Sequence, residues 1–274
     1  MNTTENTITF LHSGDSGDIV AGLATVKELC EQKNAKATLV LDTTGGHFCN
    51  DDELNNFILL QNNGRNLKFN DAAFDFLVPL IEMQSYIDKV IKWDKDLDLK
   101  IDYNLNNFRK SFCDPEVAKE TNQNLLFLHQ KCVGLEFKYP GPWLTIDKAA
   151  EDAPEIIVSR SPRVHSAYAY YASREQVLKS KITKFIGLDF EYELFEKTFR
   201  YKPDRYEVKT AVDMARAIKG SKAVIVNSTL LYWIAVGLGH GNIFHEIAID
   251  VPTSYFPNQK PNTIHYIEGM HFVS

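Results

Sequence analysis

A short glycine-containing loop joins the first apolar segment of the chain to its first helical pattern. The loop runs over Ser13–Gly17 and is followed by Asp18 at the start of the helical pattern. Glycines allow a tight turn and a close approach to a ligand, and the N–H groups at a helix start attract negative charge. The loop departs from the G-x-G-x-x-G and Walker patterns. We therefore expect Asp18 either to cap the helix or to serve as a carboxylate base for a bound hydroxyl.

A second polar turn follows the apolar segment KAVIVN late in the chain. It consists of Asn227, Ser228 and Thr229 and leads into another helical pattern. Amide and hydroxyl groups at a helix N-terminus donate hydrogen bonds to phosphate oxygens. Ser228 or Thr229 also suits a purely structural helix cap. Both interpretations stay open at this point.

A third polar segment, residues 159–165, carries Arg160 and Arg163 on either side of a proline. Two arginines on a stiff turn can grip a diphosphate through bidentate hydrogen bonds and stabilise its charge as a leaving group. The alternative is a pair of arginines on an exposed loop. The chain has no HExxH or comparable spacing of metal ligands, so we expect no metal to be required.

The elements that must position these residues alternate between strand and helix patterns. In the first half, strands are predicted at 8–12, 36–42 and near Val90, and helices at 18–31, 71–85, 104–112 and 122–131. In the second half, strands are predicted at 155–159, 184–188, 222–227 and 242–249, and helices at 191–199, 210–219 and 229–238. The helix at 210 begins with a Thr-x-x-Asp capping pattern.

Prolines at 140, 142 and 154 interrupt the pattern between the two halves. The sequence therefore predicts two domains, an N-terminal one over 1–140 and a C-terminal one over 141–274. The predicted fold class is α/β, with two Rossmann-like, doubly wound domains facing a cleft. Ligands are expected at the carboxyl ends of the strands.

Composition excludes several classes of protein. The formal net charge is −6, so no global basic field draws the chain to nucleic acid. No apolar run approaches the roughly 18 residues needed to span a bilayer, and the start lacks a signal-peptide pattern. We expect a cytoplasmic protein without a transmembrane segment. The four cysteines have no CxxC pairing, which favours reduced thiols.

The first loop and helix resemble the opening of the heptosyltransferase-like family 9 glycosyltransferases. The run SGDSGDIVAGLATVKEL is similar to that family's glycine loop, G-D pair and following helix. The Asp of the G-D pair is the family's proposed catalytic base, and it matches Asp18. Gly14 and Gly17 are predicted to bind the donor, and His12 and Asp15 are candidates for the acceptor side.

Two blocks of the second half resemble the same family. The run TAVDMARAIKGSKAVIVN, which ends at Asn227, is similar to the segment before its donor-phosphate turn, and Asn227-Ser228-Thr229 is similar to that turn, N-D-T/S-G-x-x-H. Ser228 replaces the acidic residue, Leu230 the glycine and Trp233 the histidine. After KFIGL, a G-x-x-x-E pattern places Gly187 and Glu191 where the family holds the ribose, with Glu193 as the alternate.

The resemblance implies a B-type glycosyltransferase fold and an inverting, metal-independent transfer of a sugar from a nucleotide sugar to an acceptor hydroxyl. It also implies that the N-terminal domain, 1–140, lies on the acceptor side and that the C-terminal domain, 141–274, binds the nucleotide sugar. The nucleotide sugar is a co-substrate, and no cofactor is expected. The acceptor stays open between a glycan, a lipid-linked saccharide and a modified nucleobase of DNA. The alternatives are a non-catalytic nucleotide-sugar-binding module and a sugar-nucleotide epimerase or hydrolase.

Overall fold

The computed structural model divides the chain into two compact units, Met1–Thr145 and Ile146–Ser274. It describes residues 6–44, 50, 52–53, 69–161, 183–246, 253–256, 261 and 263–267. Each unit is an α/β structure built on one parallel sheet. The predicted α/β class is confirmed.

The first unit has a four-stranded parallel sheet with the order β3-β2-β1-β4. Its strands are β1 (Thr7–His12), β2 (Lys36–Leu41), β3 (Ile87–Lys92) and β4 (Tyr103–Asn104), and a 3₁₀ turn, Leu105–Asn107, follows β4. Its helices are α1 (Ser16–Lys33), α2 (Asp71–Glu82), α3 (Phe108–Cys113), α4 (Pro115–Thr121) and α5 (Leu125–Cys132).

Helix α1 begins earlier than the sequence pattern predicted. Its N-cap is Asp15, and Asp18 occupies the third helical position. The Asp15 N–H donates to Oδ2 of Asp18 at 3.1 Å, which is the backward contact of a capping box. The expectation that Asp18 itself is the N-cap is therefore wrong, and Ser16 and Gly17 belong to the first helical turn.

The first unit extends through the proline-containing segment because Trp143 is buried in its core. The Trp143 indole donates to the Val20 carbonyl at 2.9 Å, and its own carbonyl accepts from the Tyr86 hydroxyl at 3.0 Å. Gln84 binds the Thr145 N–H through its amide oxygen at 2.8 Å. The units therefore divide after Thr145, whereas the sequence placed the boundary after residue 140.

The second unit has a six-stranded parallel sheet with the order β10-β9-β8-β5-β6-β7. Its strands are β5 (Ile156–Ser159), β6 (Thr183–Phe185), β7 (Asp204–Arg205), β8 (Ala223–Val226), β9 (Ile243–Glu246) and β10 (Ile264–Ile267). Its helices are α6 (Asp189–Phe199), α7 (Ala211–Gly220) and α8 (Leu230–Gly237).

Local sequence signals account for these helices. Helix α7 begins with the predicted capping box: the Asp213 N–H donates to Oγ1 of Thr210 at 3.2 Å, and the Thr210 N–H donates to the Asp213 carboxylate at 3.0 Å. Helix α8 is apolar on all sides and is almost completely buried. Phe195 of α6 packs on Val158 and Phe185 of the sheet, forming part of the core of this unit.

No helix in the described ranges is both long enough and apolar enough to cross a lipid bilayer.

Candidate functional site

Three of the predicted ligand-binding segments follow neighbouring strands of the second sheet. Residues 160–161 follow β5, residues 187–191 follow β6, and residues 227–229 follow β8. Strands β8, β5 and β6 are adjacent and parallel, so their carboxyl ends lie along one edge. We call these three segments the second-sheet edge. Ligands of open α/β sheets bind at the carboxyl ends of strands.

Asn227 ties two of these segments together. Its side-chain amide donates to the Ser161 carbonyl at 2.7 Å, and its amide oxygen accepts from the Ser161 N–H at 2.9 Å. The Asn227 side chain is fully buried. Its observed role is therefore to fix the loop after β5 against the turn after β8, which holds the backbone of both loops in place.

The guanidinium of Arg160 is engaged in a buried ion pair with Glu246, the last residue of β9. Nε donates to Oε2 at 2.8 Å and Nη2 to Oε1 at 3.0 Å. The guanidinium also lies 5.3 Å from the centroid of the Phe199 ring. The sequence pattern did not identify Glu246 as a candidate site residue.

Ser228 and Thr229 play different parts in the turn before α8. Thr229 is the N-cap, and its hydroxyl accepts from the Tyr232 N–H at 3.4 Å. Ser228 does not cap the helix. Its hydroxyl forms a short hydrogen bond with the Ser254 hydroxyl, which in turn lies 2.9 Å from Nε2 of His245. Of the two residues offered as a structural cap, Thr229 fills that role.

Glu191 caps helix α6 from its third position, because its Oε2 accepts from the Leu188 N–H at 2.9 Å. Gly187 precedes Leu188, the N-cap of this helix, at a position where a side chain would crowd its neighbours. A Cβ at Gly187 would lie 2.7 Å from Cε1 of Phe185 and 2.9 Å from Oε2 of Glu191. The carboxylate thus lies at the second-sheet edge, as the predicted ribose contact requires, but with a structural contact already in place.

In the first unit, Gly14 lies between Asp18 and His12. A Cβ at Gly14 would come within 2.7 Å of both Cβ of Asp18 and Cε1 of His12. Only glycine fits here without displacing one of these side chains. Asp18 is half-buried at the carboxyl end of β1, beside the loop backbone. Asp15 and Gly17 lie in the same half-buried turn.

His12 and His129 form a buried relay whose tautomers follow from their partners. The Gly14 N–H donates to Nδ1 of His12 at 2.9 Å, which leaves the His12 proton on Nε2. Nε2 of His12 lies 3.0 Å from Nε2 of His129, and Nδ1 of His129 lies 2.7 Å from the Leu125 carbonyl. His12 therefore donates to His129, and His129 donates to Leu125.

Burial keeps both rings neutral. It lowers the pKa of His129 to about 4, and the nearby Arg109 charge adds to this effect. It lowers the pKa of His12 well below its ordinary value, with His129 and Arg109 contributing. His12, predicted for the acceptor side, thus has both ring nitrogens occupied inside the unit.

Buried polar atoms without a hydrogen-bond partner among the described residues occur at the same edge of the first sheet, and two of them lie beside the start of the loop. They are Oδ2 of Asp42, which follows β2, and Nδ2 of Asn106, in the turn after β4. Both residues flank Ser13: the Asp42 N–H donates to the carbonyl of His12 at 3.0 Å, and Oδ1 of Asn106 accepts from the Ser13 N–H at 2.8 Å. Unsatisfied buried groups are costly, and a bound polar ligand would satisfy them.

The residues flanking Ser13 were not singled out from the sequence. Asp42 had a usable signal, since it is an acid directly after a buried strand. Asn106, His129, Ser254 and Glu246 had none, because their partners are remote in the chain. Arg163 lies outside the described residues. Within the described ranges, no group of three or more His, Cys, Asp and Glu side chains is placed to hold a metal ion.

The second unit also has an open depression of about 450 Å³ beside residues 148–152 and helix α7. Charged and polar groups in its wall are already paired: Arg216 with Asp147 at 2.8 Å, and the Tyr206 hydroxyl with Asp152 at 2.7 Å. The second-sheet edge, where buried and half-buried polar groups converge from three strands, is therefore the stronger candidate site.

No protein-family model matches the sequence, and no curated protein matches it by sequence. Solved structures do match in fold. A family 9 glycosyltransferase from Veillonella parvula aligns with a TM-score of 0.56 at 14% identity, covering 98% of this chain and 87% of that one.

Two Escherichia coli proteins are also similar in fold. Heptosyltransferase WaaC with ADP aligns with a TM-score of 0.53 at 10% identity, covering 96% of this chain and 90% of that one. The iron-containing dodecameric glycosyltransferase TibC aligns with a TM-score of 0.51 at 8% identity, covering 95% and 62%. The chain thus has the fold of family 9 glycosyltransferases, as its sequence predicted.

Proposed function

We propose that this protein is a glycosyltransferase that moves a sugar from a nucleotide sugar to an acceptor hydroxyl. The observation that carries the proposal is the convergence of residues 160–161, 187–191 and 227–229 on adjacent strand ends. These segments are far apart in the sequence, and the sequence pattern predicts that each contains residues that bind the nucleotide-sugar donor. The fold shared with WaaC, whose structure contains ADP, supports the same assignment.

In this proposal the second unit binds the nucleotide sugar. The diphosphate lies at the N-terminus of α8, beside Ser228 and Thr229, where backbone N–H groups and the helix dipole favour an anion. Glu191 lies at the end of β6, which is separated from β8 by β5, and accepts hydrogen bonds from the ribose hydroxyls. Arg160, held by Glu246, adds positive charge beside the leaving diphosphate.

Asp18 of the first unit is the proposed general base. Its carboxylate takes the proton from the acceptor hydroxyl as that oxygen attacks the anomeric carbon. The bond from the anomeric carbon to the diphosphate breaks on the opposite side, so the configuration inverts. The electron pair of that bond leaves with the nucleoside diphosphate. No metal ion is needed in this scheme.

The first-sheet edge, which comprises residues 13–18, Asp42 and Asn106, supports a saccharide acceptor. The Asp42 carboxylate accepts a hydrogen bond and the Asn106 amide donates one, which matches a hydroxyl-rich ligand. Three aspartates, Asp15, Asp18 and Asp42, also lie at this edge. They disfavour a polyanion such as DNA, whose binding depends on neutralising phosphates.

A panel of ADP-, UDP-, GDP-, CDP- and dTDP-linked sugars, incubated with and without saccharide acceptors, tests the proposal. Nucleotide release that depends on the acceptor, with a new glycosidic product, is the expected result. Release of free sugar without acceptor would indicate a hydrolase. Binding of the nucleotide sugar without turnover would indicate a non-catalytic binding module, and absence of binding would overturn the proposal.

A further inference from the structure

Three side chains of the second unit form a hydrogen-bonded series that runs from the second-sheet edge into the core. Ser228 is half-buried at the edge, whereas Ser254 and His245 are fully buried behind it. The Ser228 and Ser254 hydroxyls are in contact, and Oγ of Ser254 lies 2.9 Å from Nε2 of His245. We call this series the Ser228 relay.

The inner end of the relay is a neutral histidine with one polar contact in the part of the chain that the structure describes. Nδ1 of His245 is buried and has no hydrogen-bond partner among the described residues. Tyr232 packs on the ring at 4.2 Å between centroids, and burial lowers the pKa of His245 to about 3. The ring therefore carries one proton, on either Nδ1 or Nε2.

The position of that proton follows from the free-energy cost of leaving a buried N–H group without a hydrogen-bond acceptor. A proton on Nδ1 would leave a buried N–H with no acceptor among the described residues, and such an N–H is rarer in proteins than an under-satisfied acceptor. A proton on Nε2 is donated to Oγ of Ser254 and leaves only a lone pair on Nδ1. The Nε2–H tautomer is therefore favoured.

This tautomer sets the direction of the whole relay. His245 donates to Ser254, and among the described residues the Ser228 oxygen is the one acceptor within reach of the Ser254 proton, so Ser254 donates to Ser228. The Ser254 backbone is fixed as well, because the Tyr232 hydroxyl donates to its carbonyl at 2.7 Å. Ser228 then accepts from Ser254, and its own proton is directed to a group outside the relay.

We propose that Ser254 and His245 are positioning residues that present the Ser228 hydroxyl as a hydrogen-bond donor to a phosphate oxygen of the nucleotide. This inference rests on the proposed function, and it gives the Ser228 hydroxyl a defined donor direction. An acidic side chain at this position would accept hydrogen bonds. The relay instead makes the position a donor, which suits an anionic ligand.

Calorimetric titration of the full chain with ADP and with UDP, as separate probes, tests the relay. Ser228→Ala and Ser254→Ala should each weaken diphosphate binding by about tenfold to a hundredfold, since a hydrogen bond to a charged group is lost or misdirected. The double variant should be no weaker than the weaker single variant, because both changes remove the same donor. Ser228→Asp should bind more weakly than Ser228→Ala.

A second serine–histidine pair in the same unit supplies the control. Ser221 precedes β8, and its hydroxyl lies 3.2 Å from Nε2 of His240. Ser221→Ala removes an equivalent contact away from the second-sheet edge and should leave diphosphate affinity unchanged. His245→Phe is the alternative if Ser254→Ala does not fold, because it keeps an aromatic ring against Tyr232 while removing the donor at the inner end.

The outcomes separate the relay from the function on which it rests. If the wild type binds neither ADP, UDP nor any other nucleoside diphosphate, the proposed function fails and the relay fails with it. If the wild type binds a diphosphate but Ser254→Ala and His245→Phe stay within twofold of it, the relay alone is overturned. Tight binding by Ser228→Asp would likewise overturn it.

Discussion

Arg160 and Glu246 form a bidentate ion pair that spans the end of strand β8. Arg160 follows β5 and Glu246 ends β9, the two strands on either side of β8. Both side chains are almost completely buried. The pair fixes the loop after β5 to the end of β9. Arg160 therefore contributes to the stability of the unit without a ligand.

Arg160→Met should destabilise the second unit by about 3–5 kcal/mol, because Glu246 loses its guanidinium partner while staying buried. Arg160→Met combined with Glu246→Met should recover most of that loss, since two apolar side chains leave no buried charge. Urea unfolding of both variants measures this. A single variant as stable as wild type would show that the pair contributes little.

The double variant also tests whether Arg160 contacts the nucleotide-sugar donor. In the folded Arg160→Met/Glu246→Met protein, we expect affinity for a nucleoside diphosphate to fall about tenfold or more, because a charge-assisted contact is lost. Calorimetric titration gives the answer. Unchanged affinity would restrict Arg160 to its structural role.

Asp18→Asn should lower the transfer rate by about 10²–10⁴-fold while leaving stability close to wild type. The asparagine oxygen can still accept from the Asp15 N–H, but it cannot take a proton at neutral pH. Asp213→Asn is the matched control, because Asp213 makes the same backward contact at the start of α7. A rate within about threefold of wild type in Asp18→Asn would assign Asp18 to capping alone.

The His12–His129 relay predicts loss of stability in acid. In the unfolded chain a histidine binds a proton near pH 6.5, whereas folding lowers the pKa of His129 to about 4. Between these values the unfolded state binds more protons, so stability is full above about pH 6.5 and falls as pH decreases toward 4.

His129→Gln should make this acid dependence shallower, by up to about 1.4 kcal/mol per pH unit, because one titrating group is removed. The glutamine oxygen can still accept from Nε2 of His12. Urea midpoints at pH 7, 6 and 5 provide the measurement. An acid dependence equal to that of wild type would show that His129 does not stay neutral in the folded protein.

Gly14→Ala should destabilise the first unit by about 1–3 kcal/mol and reduce transfer, because the new methyl group displaces Asp18 or His12. Gly241→Ala is the control, since a Cβ there meets no atom within 4 Å. Thermal melting and the transfer rate should both change in the first variant only. Wild-type behaviour of Gly14→Ala would show that the loop relaxes freely.

Much of the fold is encoded locally and could be predicted from the sequence. Apolar runs such as 36–42 and 222–227 fix strands, and the Thr210–Asp213 pattern fixes a helix start, because each depends on neighbours a few residues away. The family 9 likeness also rests on short local runs. The same local reasoning misplaced the start of α1, because Asp15 and Asp18 both suit a cap and only the backbone geometry chooses between them.

The tertiary structure alone decided which polar residues meet. His12 and His129 are 117 residues apart, and Arg160 and Glu246 are 86 apart, so no local pattern could pair them. Strand order brings such residues together, and strand order depends on the burial of whole sheets rather than on any segment. The sequence therefore determined the types of residue at each strand end, and folding determined that Arg160 faces a buried acid and that Ser228 faces Ser254.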